Sequence, residues 1–106
     1  ISDYTVGPIF MGSKTKGSHE WLIEFDKQPD DLKKFMEILD LNLQSLNSDY
    51  EAKRYKGSTL ELPKLIVARK NLFYDWLSSK NKLGGQNKIP RLANSREFID
   101  ELISMN

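Results

Sequence analysis

Apolar and polar positions alternate with two different periods along the chain. Tyr4 to Met11 mixes β-branched and apolar residues around Gly7-Pro8. Proline cannot donate to a ladder, so this stretch predicts an edge or bulged strand. His19, Trp21, Ile23 and Phe25 alternate with Glu20, Leu22 and Glu24, the period-two pattern of a strand with one buried face. The turn-forming run Gly12 to Ser18 between the two segments makes them a hairpin.

The period then changes. Pro29-Asp30-Asp31 opens a helix, with carboxylates where the positive end of the helix dipole favours them. Leu32, Phe35, Met36, Leu39, Leu43 and Leu46 follow at spacings of three and four, giving one continuously apolar face. Asn47 to Ser58 is polar and basic. Leu60 to Ala68 reads as a strand broken at Pro63, and Leu65-Ile66-Val67 is apolar enough to be central. Leu72, Phe73, Trp76 and Leu77 predict a short helix that Leu83-Gly84-Gly85 ends. Lys88-Ile89-Pro90-Arg91 is expected to be extended, because the residue before a proline avoids helical backbone. Asn94 and Glu97 have capping-box spacing ahead of a last helix carrying Phe98, Ile99, Leu102 and Ile103. This order predicts an α/β fold, an α+β sandwich of one mixed sheet of about four strands with helices packed on its faces.

Composition narrows the function. The 106 residues are enough for one domain with a core of its own. The absence of Cys excludes zinc fingers, disulfide scaffolds and thiol catalysis. No apolar run approaches the ~20 residues that span a bilayer, so no membrane partner is expected. Ile1-Ser2-Asp3-Tyr4 does not open a secretory leader. A chain beginning at Ile1 is expected to be a piece of a longer, cytoplasmic protein.

The 16 basic and 15 acidic side chains nearly cancel, but not evenly along the chain. Residues 1–52 carry a net −5, residues 53–91 a net +8 and residues 92–106 a net −2. Such a basic middle suits an anionic partner, unless the acidic ends neutralise it in the fold. Tyr50, Lys53, Arg54, Tyr55 and Lys56 interleave aromatic and basic groups, yet no nucleic-acid-binding signature accompanies them, so nucleic acid is not an expected partner.

Few residues suggest chemistry. His19 is the only imidazole, no nucleophile or second His is placed beside it by sequence, and a structural role is expected. Asp30 and Asp31 have no supporting metal-ligand spacing. Gly84-Gly85 lacks the Lys-Ser/Thr that completes a phosphate loop. Lys88-Ile89-Pro90-Arg91 differs, in that a proline restrains two neighbouring cations. That suits a phosphate or a developing negative charge, although ordinary solvated charges have the same sequence.

Ser45-Leu46-Asn47-Ser48-Asp49-Tyr50, the strand Leu60 to Ala68, and Asn87-Lys88-Ile89-Pro90-Arg91 together resemble the carboxy-terminal lobe of the Gretchen Hagen family. These are the auxin-responsive acyl-acid amido synthetases of the adenylate-forming superfamily. Gly17 to Phe25 is similar to a strand near the start of that lobe. Asn87 stands where the family usually has Tyr, and Leu92 where Cys is frequent.

The resemblance implies that ATP and Mg²⁺ activate a carboxylic acid as an acyl-adenylate, which then passes to the amine of an amino acid. It implies a mobile lobe, residues 1–106, that works with an adenylating N-terminal domain outside this sequence. By motif position Lys88 would be the catalytic cation of the first half-reaction, with Pro90 and Arg91 shaping its loop. The basic middle segment would then be the side that carries Lys88 to a phosphate. The isolated fragment is expected not to catalyse and to bind no cofactor. The alternative is a free-standing module that binds nucleic acid or another anion, and a third possibility is a purely structural domain.

Overall fold

The computed structural model describes residues 1–10, 17–55, 60–80, 91–93 and 95–106. Strands β1 (Asp3–Ile9) and β2 (Ser18–Glu24) form the expected antiparallel pair, with Tyr4 opposite Ile23 and Val6 opposite Trp21. Helices α1 (Leu32–Leu46) and α2 (Ser48–Arg54) carry the chain to β3 (Lys64–Val67), which pairs parallel to β2. Helices α3 (Leu72–Ser79) and α4 (Glu97–Met105) follow.

The sheet order is β1-β2-β3. The described sheet is therefore mixed, as expected, but has three strands where about four were expected. Residues 88–90 of the segment that was to supply the fourth lie outside the described residues, and just beyond it Leu92 makes one parallel bridge to Val6. Both backbone groups of Val6 are spent on it: its N–H donates to the Arg91 carbonyl at 2.8 Å, and its carbonyl accepts from the Ala93 N–H at 3.1 Å. The order also corrects two expectations about burial. β3, whose apolar run suggested a central strand, lies at an edge of the described sheet. β2 is the central one, and it buries Leu22 and Ile23 on opposite faces rather than one face alone.

The two faces take different helices. On the Leu22 side, α3 and α4 close a core of Leu22, Ala68, Leu72, Phe73, Trp76, Ile99 and Leu102. Trp76 meets Phe98 edge-on at 5.7 Å. Gly7 is required here: a Cβ at this position would lie 2.6 Å from Cγ2 of Ile99, so only glycine lets α4 approach β1 this closely. Arg96 fastens the same layers, donating to the Pro8 carbonyl at 3.0 Å and to Glu20 and Asp100, each at 2.7 Å.

On the other side lie α1 and α2. Phe35 meets Phe25 edge-on at 5.4 Å, and Tyr50 stacks on His19. Asp31 caps α1 as expected, accepting from the Lys34 N–H at 2.9 Å. The apolar stripe of α1 is less continuous than its spacing suggests, for Leu46 is 84% exposed and the carboxylate of Asp40 is buried. Helix α2 lies inside the polar stretch after α1, with Asn47 accepting from the Tyr50 N–H at 3.1 Å. Helix α3 stops at Ser79; Gly84-Gly85, expected to stop it, lies outside the described residues. Helix α4 begins at Glu97, so Glu97 is its first residue and not the third of a capping box. Asn94 lies outside the described residues.

Candidate functional site

Of the three motif residues proposed from sequence, Lys88 and Pro90 lie outside the described residues and Arg91 within them. Arg91 sits at the outer edge of β1, its backbone fixed to Val6. Its guanidinium donates to a carboxylate oxygen of Asp3 and to the Tyr4 carbonyl at 3.2 Å. It also lies over the Tyr4 ring, 4.6 Å from the centroid, a cation–π arrangement. Asp3 is oriented by its own neighbour, accepting from the Tyr4 N–H at 2.8 Å.

The stacking continues into the sheet. Tyr4 lies 5.7 Å from Trp21 with rings inclined at 25°. His19, two residues from Trp21 and so on the same face of β2, lies 6.1 Å from Tyr50 at 17°. Between these two stacks is a cavity of about 250 Å³, walled by Tyr4, Trp21, His19, Tyr50, Leu43 and Arg91 among others. A wider cleft of about 590 Å³ adjoins it across His19, Asn47 and Tyr50, reaching Lys53 and Leu60. The site is thus a pair of adjoining hollows on the α1/α2 side of the sheet, walled by aromatic and aliphatic side chains, with the Arg91 guanidinium lining one and the Lys53 ammonium the other.

Electrostatics set the state of these groups. Burial, aided by the Lys53 charge, pushes the His19 imidazole below its ordinary pKa of 6.5 and favours the neutral ring. His19 stacks on Tyr50 in the cleft wall.

Behind Tyr50 sits a buried polar cluster that sequence reasoning did not single out. Asp40 accepts from Arg54 through Nε and Nη2, both at 2.8 Å, from the Tyr50 hydroxyl at 2.5 Å and from Gln44 at 3.0 Å. Burial alone pushes the Asp40 carboxyl up, but the Arg54 and Tyr50 hydrogen bonds and the Arg54 charge outweigh it and hold the group ionised. Tyr50, desolvated and bonded to a carboxylate, has its phenol pushed well above the ordinary range. Arg54 also donates to the Leu60 carbonyl at 3.0 Å, so the cluster ties α1, α2 and the approach to β3 together. The sequence signal was the spacing of Asp40 and Gln44 on the inner face of α1, with Tyr50 and Arg54 four apart on α2.

Among the described residues, most cations of the basic middle segment are paired. Of its seven described cations, five pair with carboxylates: Lys53 with Asp49, Arg54 with Asp40, Arg69 with Asp75, Lys80 with Glu101 and Arg91 with Asp3. All but Asp75 come from the acidic flanking segments. For these described cations the charge separation along the sequence is largely cancelled in space; Lys56, Lys82 and Lys88 lie outside the described residues. Among the described residues no three His, Asp or Glu gather to hold a metal ion. Among them too, no helix is long and apolar enough to cross a membrane.

Comparison with known proteins covers nearly the whole chain. The family model for the GH3 family C-terminal domain matches residues 1–97, a span that includes both strands of the hairpin and the Asn87 to Arg91 motif. No curated protein matches the chain.

Proposed function

The chain belongs to the GH3 family, matching its C-terminal domain, and from that premise we propose that it is the small mobile lobe of an ATP-dependent acyl-acid amido synthetase of the cytoplasm. The observation that carries this reading is the family match over residues 1–97, taken with the Lys-x-Pro-Arg motif inside it. In this reading an adenylating N-terminal domain of the same chain binds ATP and a carboxylic acid. The lobe brings Lys88 against the oxygens where charge accumulates as the acid attacks the α-phosphate. Pyrophosphate leaves, the lobe turns, and the acyl group passes to an amino acid amine with release of AMP.

Each residue of the chain has a limited part. Lys88 supplies an ammonium that stabilises developing charge without exchanging a proton. Pro90 narrows the backbone freedom of the motif, and Arg91 holds its carboxy-terminal end to β1. Magnesium neutralises ATP phosphates in such reactions. Among the described residues no three carboxylates or imidazoles gather to hold it.

Among the described residues, the pairing of Lys53, Arg54, Arg69, Lys80 and Arg91 with carboxylates gives a free-standing nucleic-acid-binding module little support. The test of the proposed function is acid-dependent exchange of labelled pyrophosphate into ATP, measured with a panel of carboxylic acids. The full-length protein is expected to exchange with at least one acid, and residues 1–106 alone with none. Exchange by the fragment, or by neither protein with any acid, contradicts the proposal.

A further inference from the structure

We propose that Asp3 and Tyr4, at the start of β1, are positioning residues for the motif that ends at Arg91; the inference rests on the reading of Lys88 given above. Three contacts hold the Arg91 side chain from the opposite end of the chain, two of them through Nη1. The Asp3 carboxylate takes its guanidinium, the Tyr4 ring lies beneath it at 4.6 Å, and the Tyr4 carbonyl accepts from it at 3.2 Å. Neither partner is itself loose: Asp3 is bonded to the Tyr4 N–H, and Tyr4 is stacked on Trp21. The Val6 bonds to Arg91 and Ala93 hold the chain that leaves the motif.

The chemistry of the pair argues for placement over stability. The side chains of Arg91 and Asp3 are 55% and 27% exposed, and ion pairs this open contribute little to folding. A planar guanidinium held both by a carboxylate and by a ring face has its direction fixed, which a lysine ammonium could not reproduce. Positioning of this kind matters in a step where a displacement of about 1 Å costs about 100-fold in rate.

The test uses the full-length protein and both half-reactions. Asp3→Asn and Tyr4→Leu are expected to lower acid-dependent ATP–pyrophosphate exchange about 10- to 100-fold. Transfer from a pre-made acyl-adenylate should stay within about twofold and the thermal midpoint near that of the parent. Tyr4→Phe, which keeps the ring face, should exchange normally. Asp75→Asn, which breaks the comparably exposed pair with Arg69, should change neither half-reaction. If Lys88→Ala abolishes exchange while Asp3→Asn and Tyr4→Leu leave it intact, the inference fails and the reading of Lys88 stands. If Lys88→Ala leaves exchange intact, that reading fails and this inference falls with it. Equal loss of both half-reactions in Asp3→Asn and Tyr4→Leu marks a merely structural role and overturns the proposal.

Discussion

The two sides of the sheet are built on opposite principles. On the α3/α4 side, Leu22, Leu72, Phe73, Trp76, Ile99 and Leu102 are each at most 2% exposed and pack as a continuous apolar layer. On the α1/α2 side, a buried carboxylate, a guanidinium and a phenol take the place of hydrocarbon, and the packing leaves two adjoining hollows. The first side stabilises the domain, and the second leaves a shaped hollow of aromatic and aliphatic walls beside Arg91, backed by the buried polar cluster. A 106-residue chain can do both because one central strand, β2, presents alternate residues to the two environments.

Truncating the dry side should produce the largest loss. Trp76→Ala is expected to cost about 3–5 kcal/mol, and Leu102→Ala about 2–5 kcal/mol, in denaturant unfolding of this domain. A cost under about 1 kcal/mol for both would dissolve the contrast between the sides.

Next comes the polar cluster. Asp40→Ala leaves Arg54 and Tyr50 without their shared acceptor, and the expected cost is about 2–4 kcal/mol, somewhat below that of a fully buried pair because Arg54 is partly open. Asp40→Leu combined with Arg54→Met should recover most of it, since neither member is then left uncompensated. A double variant as weak as the single one would mean that the cluster acts through packing. The depressed Asp40 pKa adds a pH signature. The contribution of the ionised carboxylate is present above its ordinary value of 3.8 and is lost as pH falls through the lower folded value.

Gly7→Ala comes third, at about 1–3 kcal/mol, because the new methyl overlaps Ile99. Adding Ile99→Ala should make the Gly7→Ala step nearly free, and simple additivity of the two would contradict the close approach of α4 to β1.

The smallest effect belongs to His19. Its folded pKa lies below the ordinary 6.5, so the unfolded chain takes up the proton first. The contribution of the neutral ring is complete above that value and declines as pH falls below it. His19→Asn should flatten the dependence of the unfolding midpoint between about pH 7 and pH 5. An unchanged slope would remove His19 from the cleft wall as a titrating group.

The pattern of residues reveals one side of this comparison better than the other. The hairpin, α1 with its Asp31 cap, α3 and α4 follow from local periodicity, because each buries an apolar face whose spacing shows in the chain. The number of strands did not follow, since a bridge through Leu92 depends on the spare backbone groups of Val6, 86 residues away. Nor did the edge position of β3, because Leu65-Ile66-Val67 is apolar enough for either place. Helix α2 was hidden by composition, its polar residues being stabilised by the Asn47 cap and the Asp40 cluster. Asp40 looks like an interruption in a leucine stripe until Tyr50 and Arg54 are folded against it. The candidate site was half legible. A restrained Lys and Arg pointed to the motif, but the contacts of Arg91 come from Asp3 and Tyr4, which no local pattern connects to it. The charge profile is incomplete for the same reason, because carboxylates distant in sequence sit beside five of the described cations in space.

The role proposed for Lys88 is to serve the adenylation step and that step alone. The direct measurement is ATP–pyrophosphate exchange by full-length Lys88→Ala, set beside transfer of the acyl group from a pre-made acyl-adenylate to an amino acid. Exchange should be lost while transfer is largely spared. Survival of both half-reactions would contradict the account.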